Sequence, residues 1–297
     1  MTTRTHTLAV PGADLVYDVR GPLPPSGGRP VLLMIGQPMT AEGFEALAAH
    51  FTDRTVVTYD PRGLGRSTRT DGRSDNTPQQ QAADLHRLVE ALGAGPVEIF
   101  ASSGGAVTGL ELVTRYAGDV VTLVAHEPPI NAVLPDAEAV EAVWAAVHAT
   151  YEAAGAGPGM AAFIAMVSWQ GEFTDEYLAR PVPEAAMFGL PVDDDGSRDD
   201  PLLSDRSRAV TAYRPDADRL AAASTRVVVA VGEESAGTYT ARTAEGVALL
   251  LGDEVVVFPS HHGGFLDGRF GQEGKPEEFA LRLREVLDGA AGLQGRA

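Results

Sequence analysis

Short runs rich in Val, Ile and Leu recur along this chain, and most are followed within a few residues by a segment of helical period. Val31-Leu32-Leu33-Met34-Ile35 is continuously apolar and ends at Gly36, as a strand buried on both faces would be. Phe44, Leu47, Ala48 and Phe51 then fall at i, i+3, i+4 and i+7, the spacing of one helix face. The alternation continues with a strand at 56–59 and a capping-box start at Thr77-Pro78-Gln79-Gln80, with Pro in the first helical position. Leu85, Leu88, Val89 and Leu92 carry that helix to Gly93. A strand at 97–100, a helix at 105–116 and a strand at 120–125 follow. Strand and helix in this order predict an α/β fold, a mostly parallel sheet covered by helices on both faces. Upstream, His6, Leu8 and Val10 alternate on one side of Pro11-Gly12-Ala13-Asp14, and Leu15, Tyr17 and Val19 on the other, the pattern of an antiparallel hairpin opening the sheet.

From Pro128 to Ser224 the rhythm breaks. Residues 137–154 read as a helix with Val140, Val143, Trp144 and Val147 on one face, 160–169 as a second apolar segment, and 184–189 as a short third. The acidic stretch at 193–200 lacks the distal Glu of an EF-hand and reads as a solvated loop. Alternation resumes with a strand at 226–231, a helix at 240–251, a strand at 254–258 and a final helix carrying Phe279, Leu283, Val286 and Leu287. The expected division is an α/β core of 1–127 and 224–297, interrupted by a helical cap of 128–223.

Charge narrows the partners. With 23 Lys and Arg against 41 Asp and Glu the chain carries a net charge of −18. That opposes the phosphate neutralisation that nucleic-acid binding needs, and docking to anionic membranes, and favours neutral or cationic small molecules. There is no Cys, hence no thiolate nucleophile, disulfide or Cys-ligated metal. Met1-Thr2-Thr3-Arg4-Thr5-His6 has no apolar leader core, and no apolar run approaches the roughly 18 residues of a membrane span, so the expectation is a cytoplasmic protein.

The most informative stretch is Val97-Glu98-Ile99-Phe100-Ala101-Ser102-Ser103-Gly104-Gly105, a strand entering a helix through small residues. A Ser exposed on such a strained turn needs small residues two before and two after it. Ala101 and Gly105 satisfy this around Ser103; around Ser102 the flanks are Phe100 and Gly104. Neither GxGxxG nor GxxxxGK[ST] is present, which weakens a phosphate-loop reading.

Three further segments give this elbow its context: Ile35-Gly36-Gln37-Pro38, Asp60-Pro61-Arg62-Gly63-Leu64-Gly65-Arg66-Ser67, and Phe258-Pro259-Ser260-His261-His262-Gly263-Gly264-Phe265. Together and in this order they resemble the α/β-hydrolase family across the core and leave the cap unmatched. The resemblance implies Ser103 as nucleophile and His262 as base, with His261 as second choice; His6, His50, His86 and His148 have structural or solvated readings. It also exposes a departure. Where most of the family carries an Asp, in the turn Gly232-Glu233-Glu234-Ser235, this chain has Ser235. Another carboxylate, Glu127, ends the strand after the elbow helix, in His126-Glu127-Pro128-Pro129, and Glu234 and Glu233 stay available.

Zearalenone lactonases have an S-S-G elbow and an H-E-L-P turn whose Glu serves as the triad acid. Ser102-Ser103-Gly104 and His126-Glu127-Pro128-Pro129 resemble both. The implied oxyanion donors are the backbone N–H groups of Gly104 and, by position, Gln37. Phe163, Met166, Trp169, Met187 and Phe188 are the large apolar residues of the cap expected over the substrate, with His126 beside the pocket.

The resemblance thus implies a serine hydrolase of carboxylic esters, needing no metal or cofactor, with a small apolar ester or resorcylic lactone as substrate. Neither nucleic acid nor membrane is implied as partner, and a homodimer is compatible with a capped member. General esterases and thioesterases, cofactor-free haloperoxidases, C–C-bond hydrolases and non-catalytic ligand-binding members remain alternatives. Ser103 excludes the relatives whose nucleophile is Asp, the epoxide hydrolases and haloalkane dehalogenases.

Overall fold

The computed structural model of the protein describes residues 2–289; the last eight residues of the expected core segment lie outside that range. β1 (Thr3–Val10) and β2 (Ala13–Arg20) form the expected hairpin, paired without a slip from Thr3 opposite Arg20 to Val10 opposite Ala13. Next come β3 (Leu32–Gln37), α1 (Glu45–Ala49), β4 (Val56–Tyr59) and the two-residue β5 (Thr68–Arg69). α2 (Pro78–Leu92) starts at the expected cap, where the Thr77 hydroxyl accepts from the Gln80 N–H at 3.2 Å, and ends at Gly93 in the left-handed region. β6 (Val97–Ser103), α3 (Gly104–Tyr116) and β7 (Val120–His126) complete the first half.

The insert between β7 and β8 is helical: α4 (Ala137–Ala154), α5 (Ala156–Val167), α6 (Asp175–Leu178), α7 (Arg208–Thr211) and α8 (Ala217–Ala222), with irregular chain between. β8 (Arg226–Gly232), α9 (Tyr239–Leu251), β9 (Val256–Phe258) and α10 (Pro276–Leu287) close the fold.

The sheet order is β1-β2-β4-β3-β6-β7-β8-β9, with β5 on β2. The β1–β2, β2–β4 and β2–β5 pairs are antiparallel, and every pair from β4 through β9 is parallel. After β3 the chain moves outward to β4 and then crosses back to lay β6 on the opposite side of β3. That reversal opens a crevice at the carboxyl ends of β3 and β6, where open α/β sheets build their sites. Gln37 and Ser103, paired in register, stand at those two ends.

Each face of the sheet has its own core. Leu33, Ile35, Val57, Ile99 and Leu123 pack with α2, α3 and α9 on one side. Leu32, Met34, Phe100, Val124 and Phe258 pack with α1 and α10 on the other. The cap has a third cluster, in which Val140, Val143, Val147 and Tyr151 of α4 meet Met166 of α5. Val210, Tyr213 and Leu220, from the end of the insert, join the first core rather than the cap cluster, so the packing boundary falls earlier than residue 224. Among the described residues no helix is long and apolar enough to cross a membrane.

Candidate active site

β6 runs directly into α3 at Ser103, whose backbone is left-handed (φ 55, ψ −128). A non-Gly residue held there costs on the order of 1–3 kcal/mol, so the surroundings must enforce it. They do so by close backbone approach. A Cβ on Gly105 would lie 2.6 Å from the Gly36 Cα and 2.7 Å from the Ile35 carbonyl oxygen. One on Gly104 would lie 2.9 Å from the Gln37 carbonyl oxygen. These contacts seat α3 against the end of β3 and bring the backbones of Gly104 and Gln37 together. As the first residue of α3, Gly104 has no partner for its N–H within the helix. Ser103 is half-buried, whereas Ser102 is 3% exposed and faces His126 in the strand register.

Glu127 follows β7 with a second left-handed backbone (φ 48) and has no exposed surface. Its carboxylate is fully engaged. The Gly232 N–H donates to Oε1 at 2.9 Å, the Thr240 hydroxyl donates to Oε2 at 2.6 Å, and His262 Nδ1 lies 2.6 Å from Oε2. Burial alone would push this carboxyl up, but the adjacent imidazole of His262, its hydrogen bond, His126 and Thr240 together hold it well below the usual carboxylate range. A carboxylate accepts only, so Nδ1 of His262 is the donor and Nε2 of the neutral ring is left as an acceptor. The His262 side chain is 36% exposed, on the loop after β9 that turns through Ser260 at φ 68.

The alternatives fall elsewhere. Glu234 and Glu233 reach out to Lys275, at 2.9 and 3.7 Å, and Ser235 is buried beneath them. His261 accepts from the Gly263 N–H through Nδ1 at 3.0 Å and places Nε2 3.1 Å from the Glu273 carbonyl, so both nitrogens are occupied. His86 pairs with Asp119 and stacks on Tyr116, His6 stacks on Tyr17, and His148 bonds the Leu203 carbonyl.

Four expected lining residues need correction. His126 is 0% exposed, caged by Phe100, Phe258, Phe265 and Phe279 with ring centroids 5.4–6.4 Å away, and cannot touch a substrate. As the last residue of β7 it shares the face of Val124, the α10 side of the sheet. Both its ring nitrogens lack a hydrogen-bond partner, and Nε2 is 4.0 Å from the Glu127 carboxylate. Met166, also 0% exposed, is consumed by the cap's own core. Met187 is 74% exposed on a single turn and open to solvent, with Phe188 beside it at 41%. Phe163 and Trp169 remain half-buried at the border of the cap cluster, Phe163 tilted against Trp144 and Trp169 carrying the Arg180 guanidinium over its ring at 4.6 Å.

Two contacts had no signal in the sequence pattern. Thr240, a helix residue far along the chain, donates to Glu127, and Gln81, in the first turn of α2, donates to the side chain of Gln37.

Residues 29–152 match the family described as the alpha/beta hydrolase fold. Over almost its whole length the chain also superposes on solved hydrolases. A hydrolase from Pseudomonas aeruginosa PA01 gives a TM-score of 0.62 at 21% identity, covering 95% of this chain and 98% of that one. This is the α/β-hydrolase fold. The enol-lactonase from Burkholderia xenovorans LB400 has it too, with a TM-score of 0.63 at 18% identity over 95% of this chain and 100% of that one. In sequence, the uncharacterized hydrolase YraK of Bacillus subtilis (strain 168) is 38% identical over 129 residues, 43% of this chain and 46% of that protein. The chain spans less than half the length of the curated relatives it matches. In this α/β-hydrolase fold the strained Ser103, the Gly104 and Gln37 backbones and the Glu127–His262 pair all lie at the carboxyl ends of β3, β6, β7 and β9.

Proposed function

We propose that the protein is a serine hydrolase of carboxylic esters, acting on a small apolar ester of which a resorcylic lactone is the leading case. The observation that carries this reading is the 2.6 Å contact between His262 Nδ1 and the buried Glu127 carboxylate, at the sheet end where Ser103 is held in a left-handed turn.

Ser103 Oγ attacks the carbonyl carbon while His262 Nε2 takes its proton, and the imidazolium so formed is stabilised by Glu127. The Gly104 and Gln37 N–H groups bind the alkoxide of the tetrahedral intermediate, a role worth roughly 3 kcal/mol per donor. Collapse breaks the acyl–oxygen bond; His262 returns its proton to the leaving alkoxide and an acyl-Ser103 ester remains. In a lactone the alkoxide stays tethered to the acyl group. His262 then takes a proton from water, whose oxygen attacks the acyl carbon, and collapse frees the acid and restores the Ser103 hydroxyl. Every proton movement uses a group of this chain.

The lactone preference draws on two features. The acid follows β7, as the H-E-L-P turn of zearalenone lactonases implies for that family, and half-buried Phe163 and Trp169 give the cap an apolar border. The test is incubation with zearalenone and, in parallel, with p-nitrophenyl esters, using Ser103→Ala as the blank. A Ser103-dependent product heavier by one water supports the lactone. Ester turnover with the lactone unchanged retains the hydrolase and removes the lactone. No covalent adduct with a fluorophosphonate at Ser103 refutes the serine mechanism.

A further inference from the structure

The oxyanion-binding segment of this fold has to be rigid, yet β3 loses half its support just where it is needed. Its pairing with β4 stops at Met34, while pairing with β6 continues to Gln37. From Ile35 onward, the edge of β3 that faced β4 has no strand partner. The loop that follows is fixed at its far end, where Asp60 Oδ1 accepts from the Ala41 N–H at 2.9 Å. At its near end stands Gln37, 3% exposed, whose side-chain Oε1 accepts from Nε2 of Gln81, itself 1% exposed. Gln81 lies in the first turn of α2, a turn fixed by the Thr77 cap and by the bond from the Asn76 N–H to the Arg206 carbonyl.

The two amides satisfy nothing else. Gln37 Nε2 and Gln81 Oε1 have no partner. Exchanging O and N in both amides preserves one mutual bond and leaves one donor group and one acceptor unmet, so no assignment of the amides removes the dependence of each on the other. A buried amide pair with its remaining polar atoms unmet calls for an explanation, and fixing the side chain of Gln37 supplies one.

We infer that Gln81 is a positioning residue for the oxyanion hole: its carboxamide, reaching from α2, clamps the side chain of Gln37 and so holds the Gln37 backbone N–H at the nucleophile elbow. The inference rests on the serine-hydrolase reading above. It requires no contact between Gln81 and substrate, and both side chains are too deeply buried to make one.

The experiment compares Gln81→Met, Gln37→Met, which keeps the backbone N–H, and the double variant. The active fraction of each is counted by fluorophosphonate labelling of Ser103. Each is assayed for kcat and KM on p-nitrophenyl butyrate, for Ki of an aryl trifluoromethyl ketone, whose adduct with Ser103 carries an oxyanion, and for urea stability. The expected result is that either single variant lowers kcat per labelled site by about 10-fold or more, leaves KM within about 2-fold and raises Ki in step with the fall in kcat/KM. The double variant is no slower than the singles, because the two residues act through one bond. It should also recover stability, since no buried amide is left unpaired, without recovering kcat. A packing role alone would restore both.

Where a single variant does not fold, the double variant decides: stable and slow upholds the clamp, stable with wild-type kcat and Ki overturns it. Single variants with unchanged kcat per labelled site also overturn it and leave the hydrolase reading standing. A wild-type protein that the fluorophosphonate does not label overturns both.

Discussion

His126 offers the sharpest test of the electrostatics at the sheet end. Its imidazole is fully buried among four phenylalanine rings and the stacked ring of His262, and neither nitrogen has a partner. Burial drives its pKa down from 6.5 to about 4, with Glu127 opposing the fall and His262 and His261 adding to it. A histidine whose folded pKa is depressed stays neutral in the native state while the unfolded chain takes up a proton. Its contribution is therefore fully present above pH 6.5, lost progressively as pH falls toward 4, and constant below that. At 1.36 kcal/mol per pKa unit, the loss between pH 7.5 and 4.5 is about 2.5 kcal/mol. His126→Phe removes the titrating group and fills the same aromatic cage. Any overpacking by the larger ring, on the order of 1–3 kcal/mol, offsets both pH values equally. Urea unfolding of both proteins at several pH values between 7.5 and 4.5 isolates the term, because the other histidines and the acidic groups titrate in both. The variant should gain about 2–3 kcal/mol on the wild type as pH falls across this range. Parallel stability curves would show that the imidazole is protonated or partnered in the native state, and the argument from burial would fail.

Glu127→Gln should reduce kcat/KM on p-nitrophenyl butyrate by at least about 10²-fold while circular dichroism stays native, because the imidazole loses its orienting charge; a near-wild-type rate would remove Glu127 from the mechanism. Gly105→Ala forces a Cβ to within 2.6 Å of the Gly36 backbone, so it should cost about 2–3 kcal/mol in urea unfolding and slow fluorophosphonate labelling of Ser103. Asp84→Ala leaves the Arg62 guanidinium, 2% exposed and paired to Asp84 at 2.5 Å, without its main counter-charge and should cost about 3–5 kcal/mol. A loss under about 1 kcal/mol there would mean that Asp71, 3.5 Å from Arg62, carries the pairing by itself.

Periodicity exposed most of the core because a strand buried on both faces and an amphipathic helix leave different patterns. α4 runs over the expected residues, and β3, β6, β7 and β8 fall where the apolar runs are. The short helices α6, α7 and α8, of four to six residues, contain too few turns to show a period. β9 is shorter than its apolar run because it is an edge strand, paired to β8 over three residues only. Among candidate site residues, Ser103 stood out by the small residues of its turn, and His262 and Glu127 by the family resemblance. Met166 and His126 were misread for a common reason: apolarity and proximity in sequence do not say which of two cores a side chain joins. Met166 turns into the cap and His126 turns through the sheet. The Gln37–Gln81 bond joins residues 44 apart, and nothing local to either one announces the other.

In the proposed triad the carboxylate follows β7, and the turn after β8 supplies Glu127 with the Gly232 N–H. The same turn is where the cap is fastened. Thr238 pairs with Gln170 in an antiparallel bridge, and the Gly171 N–H donates to the Gly237 carbonyl at 2.8 Å. Residues 233–238 are thus a coupling piece between roof and floor that chemistry does not constrain. Exchanging the segment between β7 and β8 for the roof of another capped protein of this architecture therefore has to bring a matching 233–238 turn with it, because that turn lies beyond β8, on the sheet that keeps Ser103, Glu127 and His262.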